Sequence, residues 1–438
     1  MIDVIINMDI PLLLPLTVII LSVCLGIKAG KAIYSGLMIG AGFAGIGLIV
    51  DIMNRDLGSA LKEMSVRFGL SLEVVDVGWQ GAAPMAWASE IAVAAVPVVI
   101  IVNLIMLWRG WTRTVNIDIW NIWHMAFTGA LTYTATGRLW AGLLGVLVHA
   151  VIAFKLGDLW APWIGRYFGL TGLTVPHGSP AYMAPVACLV DTIIEKIPGI
   201  NRIDCSVDRL EEKAGLLAQP VVVGGIMGIG VGFLAGYKAD QAIPLGMEMA
   251  AVMVLMPKIV KCIMEGLLPL SDRLKELLTK RFSGGKFYIA VDPSVLLGDS
   301  QVVTAGILFI PLTILIAVVQ PDNQVLPFGD LATISFFLAI AAAVHKGNLF
   351  RILISGSIIM YMTLWIANQT YPWITELGKN SGIVTGDFPV TALDQGGSPI
   401  SYLYVQLLER QNLAGYLIVL AIYLVSMAVS VFRCRKTT

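Results

Sequence analysis

The sequence predicts an all-α polytopic membrane protein of about eleven transmembrane helices plus two re-entrant hairpins, in a single membrane domain over residues 1–438. Three observations carry that expectation. Of the 438 residues 57% are hydrophobic and 13% charged, with a mean hydropathy of +0.82, which leaves little room for a water-soluble fold. Lys and Arg collect between alternate apolar runs, as they do in the cytoplasmic loops of a multi-pass chain. Two apolar stretches, 171–197 and 286–300, are interrupted by Pro, Gly and ionisable residues that would break a helix crossing a bilayer.

The apolar run 10–27 reads as a first span, without the basic n-region and cleavage site of a secretory signal. Residues 1–9 carry no Lys or Arg whereas Lys28 and Lys31 follow the run, which places the N-terminus outside. Span 32–50 is rich in glycine (Gly36, Gly40, Gly42, Gly45, Gly47), a pattern that serves close helix packing or backbone access to a ligand. Residues 51–84 form a mixed-charge outer segment. Span 87–108 then reaches Arg109 and Arg113 inside, with Trp108 and Trp111 suited to the interface. The next segment, NIDIWNIWHMAFTGAL, carries Asn121, His124 and Thr128 on one helical face, turned into the bundle as interhelical glue or as pore lining.

Span 140–154 returns to Lys155 and Arg166, and Lys196, Arg202, Arg209 and Lys213 follow residues 171–197. Both ends of that stretch are therefore cytoplasmic, which a hairpin satisfies and a full crossing does not. Spans 215–237 and 242–257 lead to a basic cytoplasmic loop, 258–286. The segment PDNQ, 321–324, lacks basic residues and is expected outside, with one span, 302–319, before it; residues 286–300 must then dip and return as well. Spans 326–344, 352–370 and 413–432 complete the alternation, ending inside at Arg433, Arg435 and Lys436. Two broken segments in corresponding halves of a membrane chain point to a transporter's substrate site.

A polyhydroxyl solute stripped of water needs a new partner for each hydroxyl. His177 at the first hairpin's tip, Asp292 at the second break, Asn121 and His124 have the right chemistry for substrate binding. His177 would serve equally as a structural histidine at a turn, and Asp292, before Pro293, as a helix cap. Trp79 and Gln80 stand where an outer segment enters a span, placed to cap a cavity or to anchor at the interface. His149 and His345 read as structural. Asp191 and Glu195, four apart on the return limb, would serve proton coupling in an ion-coupled polyol symporter or sit in solvated pairs at the cytoplasmic exit. Net charge is zero and suggests no nucleic-acid partner, and the five cysteines lack metal-ligand spacing. With no P-loop, GxSxG or HExxH motif, neither ATP hydrolysis nor a hydrolase site is expected, and no cofactor or metal.

At VVDVGWQGAAPMAWAS, NIDIWNIWHMAFTGAL, VPHGSPAYMAPVACLVDTIIEKIPGINRI, QVLPFGDLATISFF and LDQGGSPISYL the chain resembles the galactitol-specific enzyme IIC family of the bacterial phosphoenolpyruvate-dependent phosphotransferase system, which belongs with the ascorbate transporters of that system. The resemblance runs from about residue 10 to the C-terminal arginines. It implies a homodimer in the bacterial inner membrane, surrounded by lipid, with inverted repeats, a core transport domain holding the two hairpins and a dimer-scaffold domain. It also implies group translocation of galactitol or a close polyol, phosphorylated by a phosphocysteine on a separate IIB subunit that is recharged through IIA, while the core moves against the scaffold. On that analogy His177 and Asp292 are core-site residues, and Gly178 marks a tip position where a longer polar side chain would touch substrate.

Overall fold

The computed structural model describes residues 10–69, 72–203, 205, 219–281, 287–327, 329–384 and 389–437. The expected outer N-terminal segment and the basic residues Arg209, Lys213 and Lys286 lie outside that set. Helices α1 (Ile10–Cys24), α2 (Ala29–Ile52) and α3 (Gly58–Arg67) precede strand β1 (Val74–Asp76), α4 (Gly78–Trp87) and α5 (Ala92–Trp108). Strand β2 (Thr114–Asn116) leads to α6 (Ile119–Thr136) and α7 (Leu139–Tyr167), and β3 (Leu173–Thr174) to α8 (Gly178–Ile194). The second half repeats this order: α9 (Pro220–Ala235), α10 (Ala239–Arg281), β4 (Tyr288–Ala290), a 3-10 turn (Pro293–Gly298), α11 (Ser300–Val319), β5 (Val325–Leu326), α12 (Ile334–Val344), α13 (Leu349–Asn380) and β6 (Val390–Thr391). Helices α14 (Leu393–Gly396), α15 (Pro399–Glu409) and α16 (Leu413–Thr437) close the chain. Counterparts begin at Ile10 and Pro220, Ala29 and Ala239, and Leu139 and Leu349, a constant offset of 210 residues.

Helix dominates, as expected. Among the described residues four helices are long and apolar enough to cross a bilayer: α7, α11, α13 and residues Leu413–Arg435 of α16. Two glycines of α2 serve packing: a Cβ on Gly36 would run into Ile19, and one on Gly40 would come within 3.3 Å of Pro15. One expectation is corrected. Residues 258–281 of the anticipated basic loop are the second half of α10, a 43-residue helix. Lys, Arg, Glu and Leu are strong helix formers, so the charges mark a side of the membrane without implying a coil. Arg273 of this helix donates to the Leu25 carbonyl just past α1 at 2.8 Å and pairs with Glu276 at 2.7 Å.

The six short strands among the described residues are the feature absent from the all-α reading. They form two parallel three-stranded sheets, ordered β5-β1-β6 and β2-β4-β3. Each sheet has a central strand from one half of the chain and two outer strands from the other. The physical reason lies in the broken segments. An extended limb buried in an apolar bundle must find partners for its backbone N–H and C=O groups, and here the limbs find one another. Thus β3 pairs with β4 through Leu173 with Ile289 and Thr174 with Ala290, joining the extended limbs of the two stretches expected as hairpins. The first stretch has one extended limb and one helical limb, α8. Pro180 sits in its first turn, and Pro185, which lacks the N–H that would reach Ala181, leaves a carbonyl that Trp160 Nε1 takes at 3.0 Å.

Buried aspartates lock the other set of junctions. Asp76, at the end of β1, accepts the Gly78 and Leu393 N–H groups on Oδ1 at 3.0 and 3.1 Å, and the Asp330 N–H on Oδ2 at 2.9 Å. Asp330 in turn accepts the N–H groups of Trp79 and Asp394, both at 2.9 Å. Three strand-to-helix turns, distant in sequence, are thereby fixed to each other.

At the far end of α8, Asp191 bonds His345 Nδ1 at 3.0 Å, Arg351 at 2.9 Å and Arg433 at 2.7 Å. Glu195 pairs with the same Arg351 at 2.5 Å. Burial holds His345 below the ordinary imidazole range, with the Asp191 carboxylate opposing that shift. Asp191 ties α8 to α13, α16 and the turn after α12. Asp191→Ala is expected to lower stability by about 2–3 kcal/mol, since two guanidinium groups lose their shared counterion. Thermal unfolding of the detergent-solubilised protein checks this, and an unchanged transition would contradict it.

Candidate functional site

Helix α6 begins at Asp118, whose Oδ1 accepts the Trp120 N–H at 2.9 Å. That cap fixes the rotation of the helix, so Asn121, His124 and Thr128 face inward together as the spacing requires; all three are fully buried. His177 immediately precedes α8 and places Nδ1 3.0 Å from Asn121 Oδ1. Its ring meets that of His124 edge-on, with centroids 4.0 Å apart. On the other side His124 Nε2 lies 3.0 Å from Asp394 Oδ2. Thr128 Oγ1 lies 2.6 Å from His149 Nδ1 and 2.7 Å from Ser401 Oγ.

Hydrogen-bond polarity follows from these partners. Asn121 donates its amide to Asn116 Oδ1 at 2.9 Å, so its own Oδ1 is an acceptor and His177 Nδ1 is the donor. His177 Nε2 is then left to accept. The carboxylate of Asp394 takes the Nε2 proton of His124, which leaves His124 Nδ1 as a second acceptor, with no partner among the described residues. Asp394 Oδ1, Gln395 Nε2 and Ser179 Oγ are likewise buried and unpartnered among the described residues. Orphaned buried polar atoms are rare because each costs about 1–3 kcal/mol, so a concentration of them asks for a ligand with hydroxyls to give and take.

Of the residues expected to bind substrate, the structure brings Asn121, His124 and His177 into direct contact and sets Gly178 against them. A Cβ on Gly178 would collide with Gln395 Nε2 and lie 2.9 Å from His124 Cδ2. Asp292 caps the 3-10 turn through the Ser294 N–H at 2.8 Å and lies within electrostatic reach of His124, Asp394 and Asp118. The Trp79 ring meets that of Trp120, the residue before Asn121, edge to face with centroids 5.6 Å apart. Gln80 lies in the first turn of α4, with its side chain outside the described set. His149, read as structural, bridges Thr128 and Tyr182 behind the cluster.

Sequence reasoning missed Asp394, Gln395 and Ser401. The signal was present: HGSPAY at 177–182 and GGSPISY at 396–402 share Gly-Ser-Pro at the start of a helix. Donor atoms of His124, His177 and Asp394 lie within 4.8 Å of one another, a spacing that would admit a metal ion. His124 and Asp394 already bond each other, however, and the remaining groups, a carboxamide and a serine hydroxyl, suit hydroxyl ligands better.

A mainly helical chain with apolar helices of bilayer length, closed around a buried set of neutral and acidic hydrogen-bonding groups, defines a membrane permease. The family model described as "PTS system sugar-specific permease component" matches residues 5–388, and the chain belongs to that family. It is 52% identical over 423 residues to the PTS system galactitol-specific EIIC component of Escherichia coli (strain K12), covering 97% of this chain and 94% of that protein. The same figures hold for the protein so described from Escherichia coli O157:H7. A putative permease IIC component of Escherichia coli (strain K12) is 35% identical over 382 residues, 87% of each chain.

Proposed function

We propose that this chain is the translocating IIC subunit for galactitol or a close polyol, moving it inward as a separate IIB phosphocysteine phosphorylates it and IIA recharges IIB. The observation that carries the reading is the cluster of Asn121, His124, His177, Asp394 and Gln395, whose unpaired acceptors and donors match an acyclic polyol bearing a hydroxyl on every carbon. In the transfer step the emerging hydroxyl oxygen forms the new P–O bond as the S–P bond to the IIB cysteine breaks, and the hydroxyl proton passes to the departing sulfur, which leaves as the thiol. This chain's part is to hold the polyol dry and oriented until a hydroxyl is delivered to the cytoplasmic face.

The same reading takes 171–197 and 286–300 as hairpins entering from the cytoplasmic side, about eleven spans, an outer N-terminus and an inner C-terminus in the bacterial inner membrane. The repeated order of elements supports inverted repeats, with the strand-bearing core moving against a scaffold of α1, α2, α9 and α10 in a homodimer. An ion-coupled symporter finds less support. Asp191 and Glu195, the carboxylates that would carry coupling protons, already bond Arg351.

Membrane vesicles loaded with the phosphorelay proteins and treated with an ionophore distinguish the two. Accumulation of galactitol phosphate is expected to persist at close to its untreated rate. Collapse of uptake under the ionophore would overturn the phosphorylation-coupled reading.

A further inference from the structure

Gln395 is fully buried on α14, the short helix that follows β6. Its Oε1 lies 3.4 Å from Ser401 Oγ, Ser401 Oγ lies 2.7 Å from Thr128 Oγ1, Thr128 Oγ1 lies 2.6 Å from His149 Nδ1, and His149 Nε2 bonds the Tyr182 hydroxyl. With a proton on Tyr182, one direction uses each of these contacts in turn, although Thr128 Oγ1 also lies within donating distance of the His124 carbonyl at 3.3 Å. Tyr182 donates to His149 Nε2, His149 donates from Nδ1 to Thr128, Thr128 donates to Ser401, and Ser401 donates to Gln395 Oε1. That direction sets the orientation of the carboxamide. Its oxygen is held toward Ser401, and its NH2 group is turned toward the backbone of Gly178 and the edge of His124, where it has no acceptor among the described residues.

We infer that Gln395 is a specificity-determining residue, donating an N–H to one hydroxyl of the bound hexitol, with Tyr182, His149, Thr128 and Ser401 as positioning residues and Gly178 as the clearance its amide requires. The inference rests on the polyol-permease reading and adds the group that tells one hexitol epimer from another. A buried donor left unpaired penalises an epimer whose hydroxyl points elsewhere far more than an apolar wall would. Gly178 is required because even a methyl group there would occupy the position of the amide nitrogen.

The test is calorimetric binding of galactitol, glucitol and mannitol to the purified full-length protein and its variants. Gln395→Leu is expected to weaken galactitol binding roughly 30-fold or more and to shrink the galactitol-to-glucitol affinity ratio toward one. Tyr182→Phe, which removes the first donor of the chain, is expected to lower the same ratio by a smaller factor; a purely structural Tyr182 would lower the melting temperature and leave the ratio alone. Should Gln395→Leu fail to fold, Gly178→Ala, which displaces the amide, is expected to reduce the ratio in the same direction. Wild-type preference for galactitol that survives in folded Gln395→Leu, or in Gly178→Ala where that variant is the one measured, would overturn this inference alone. A wild type that binds no hexitol would overturn the polyol reading and this inference with it.

Discussion

Alanine at His124 or at Asp394 is expected to weaken galactitol binding by about 100-fold or more while the protein stays folded and elutes as the wild type does. The two side chains are bonded to each other at 3.0 Å, and each carries a further buried atom, His124 Nδ1 and Asp394 Oδ1, without a partner among the described residues. Removing either member forfeits its own bond to the polyol and releases the other from the orientation that made it useful. Two hydrogen bonds that involve a charged or oriented group amount to about 3 kcal/mol, and each 1.4 kcal/mol is a factor of ten. The double variant should then lose little more than either single one, the behaviour of a coupled pair. Additive losses would mean that the two residues act independently, and unaltered affinity in both would remove them from the site. Asp292 provides the contrast. Its carboxylate is engaged as a cap on Ser294, so Asp292→Asn, which keeps an acceptor there, is expected to retain most of the affinity that Asp292→Ala loses.

The parts of this site that can be read in the sequence are those that announce themselves by helical spacing or by a break. Asn121, His124 and Thr128 form a polar stripe on an apolar helix, and Pro176, His177 and Gly178 interrupt an apolar run. Asp394 and Gln395 do neither. They belong to a stretch whose flanks carry few basic residues, which positive-inside reasoning reads as an outer loop able to fold back toward the membrane without singling out either residue, and the structure buries both. The strands escape for a different reason. Two or three residues are too few for a period of two to show, and their pairing is decided by partners on average hundreds of residues away, as in Val75 with Val390 or Thr114 with Tyr288. The helical second half of α10 is hidden because Lys and Arg report the side of the membrane and are silent on conformation.

Asp76→Ala is expected to be among the most destabilising single substitutions in the chain, at about 3 kcal/mol or more, and to lower the yield of folded protein. The carboxylate is fully buried and satisfies three backbone N–H groups, those of Gly78, Asp330 and Leu393. Alanine leaves all three donors orphaned in an apolar bundle, at about 1–3 kcal/mol each, with no water to replace the lost acceptor. Asparagine separates geometry from charge. It keeps one oxygen, which can still serve Gly78 and Leu393, but turns an NH2 toward the Asp330 N–H, so an intermediate loss of about 1–3 kcal/mol is expected. The consequence reaches the site because Leu393 immediately precedes Asp394 and Gln395, and Asp330 holds the Asp394 N–H. Asp76→Asn should therefore weaken polyol binding as well as lower the unfolding temperature, although Asp76 is a positioning residue that touches neither histidine in the bonding described. Thermal unfolding and calorimetric binding on the same preparations decide the matter. Asp76→Asn that melts lower yet binds as the wild type does would show that the strand junction supports the fold without setting the position of α14.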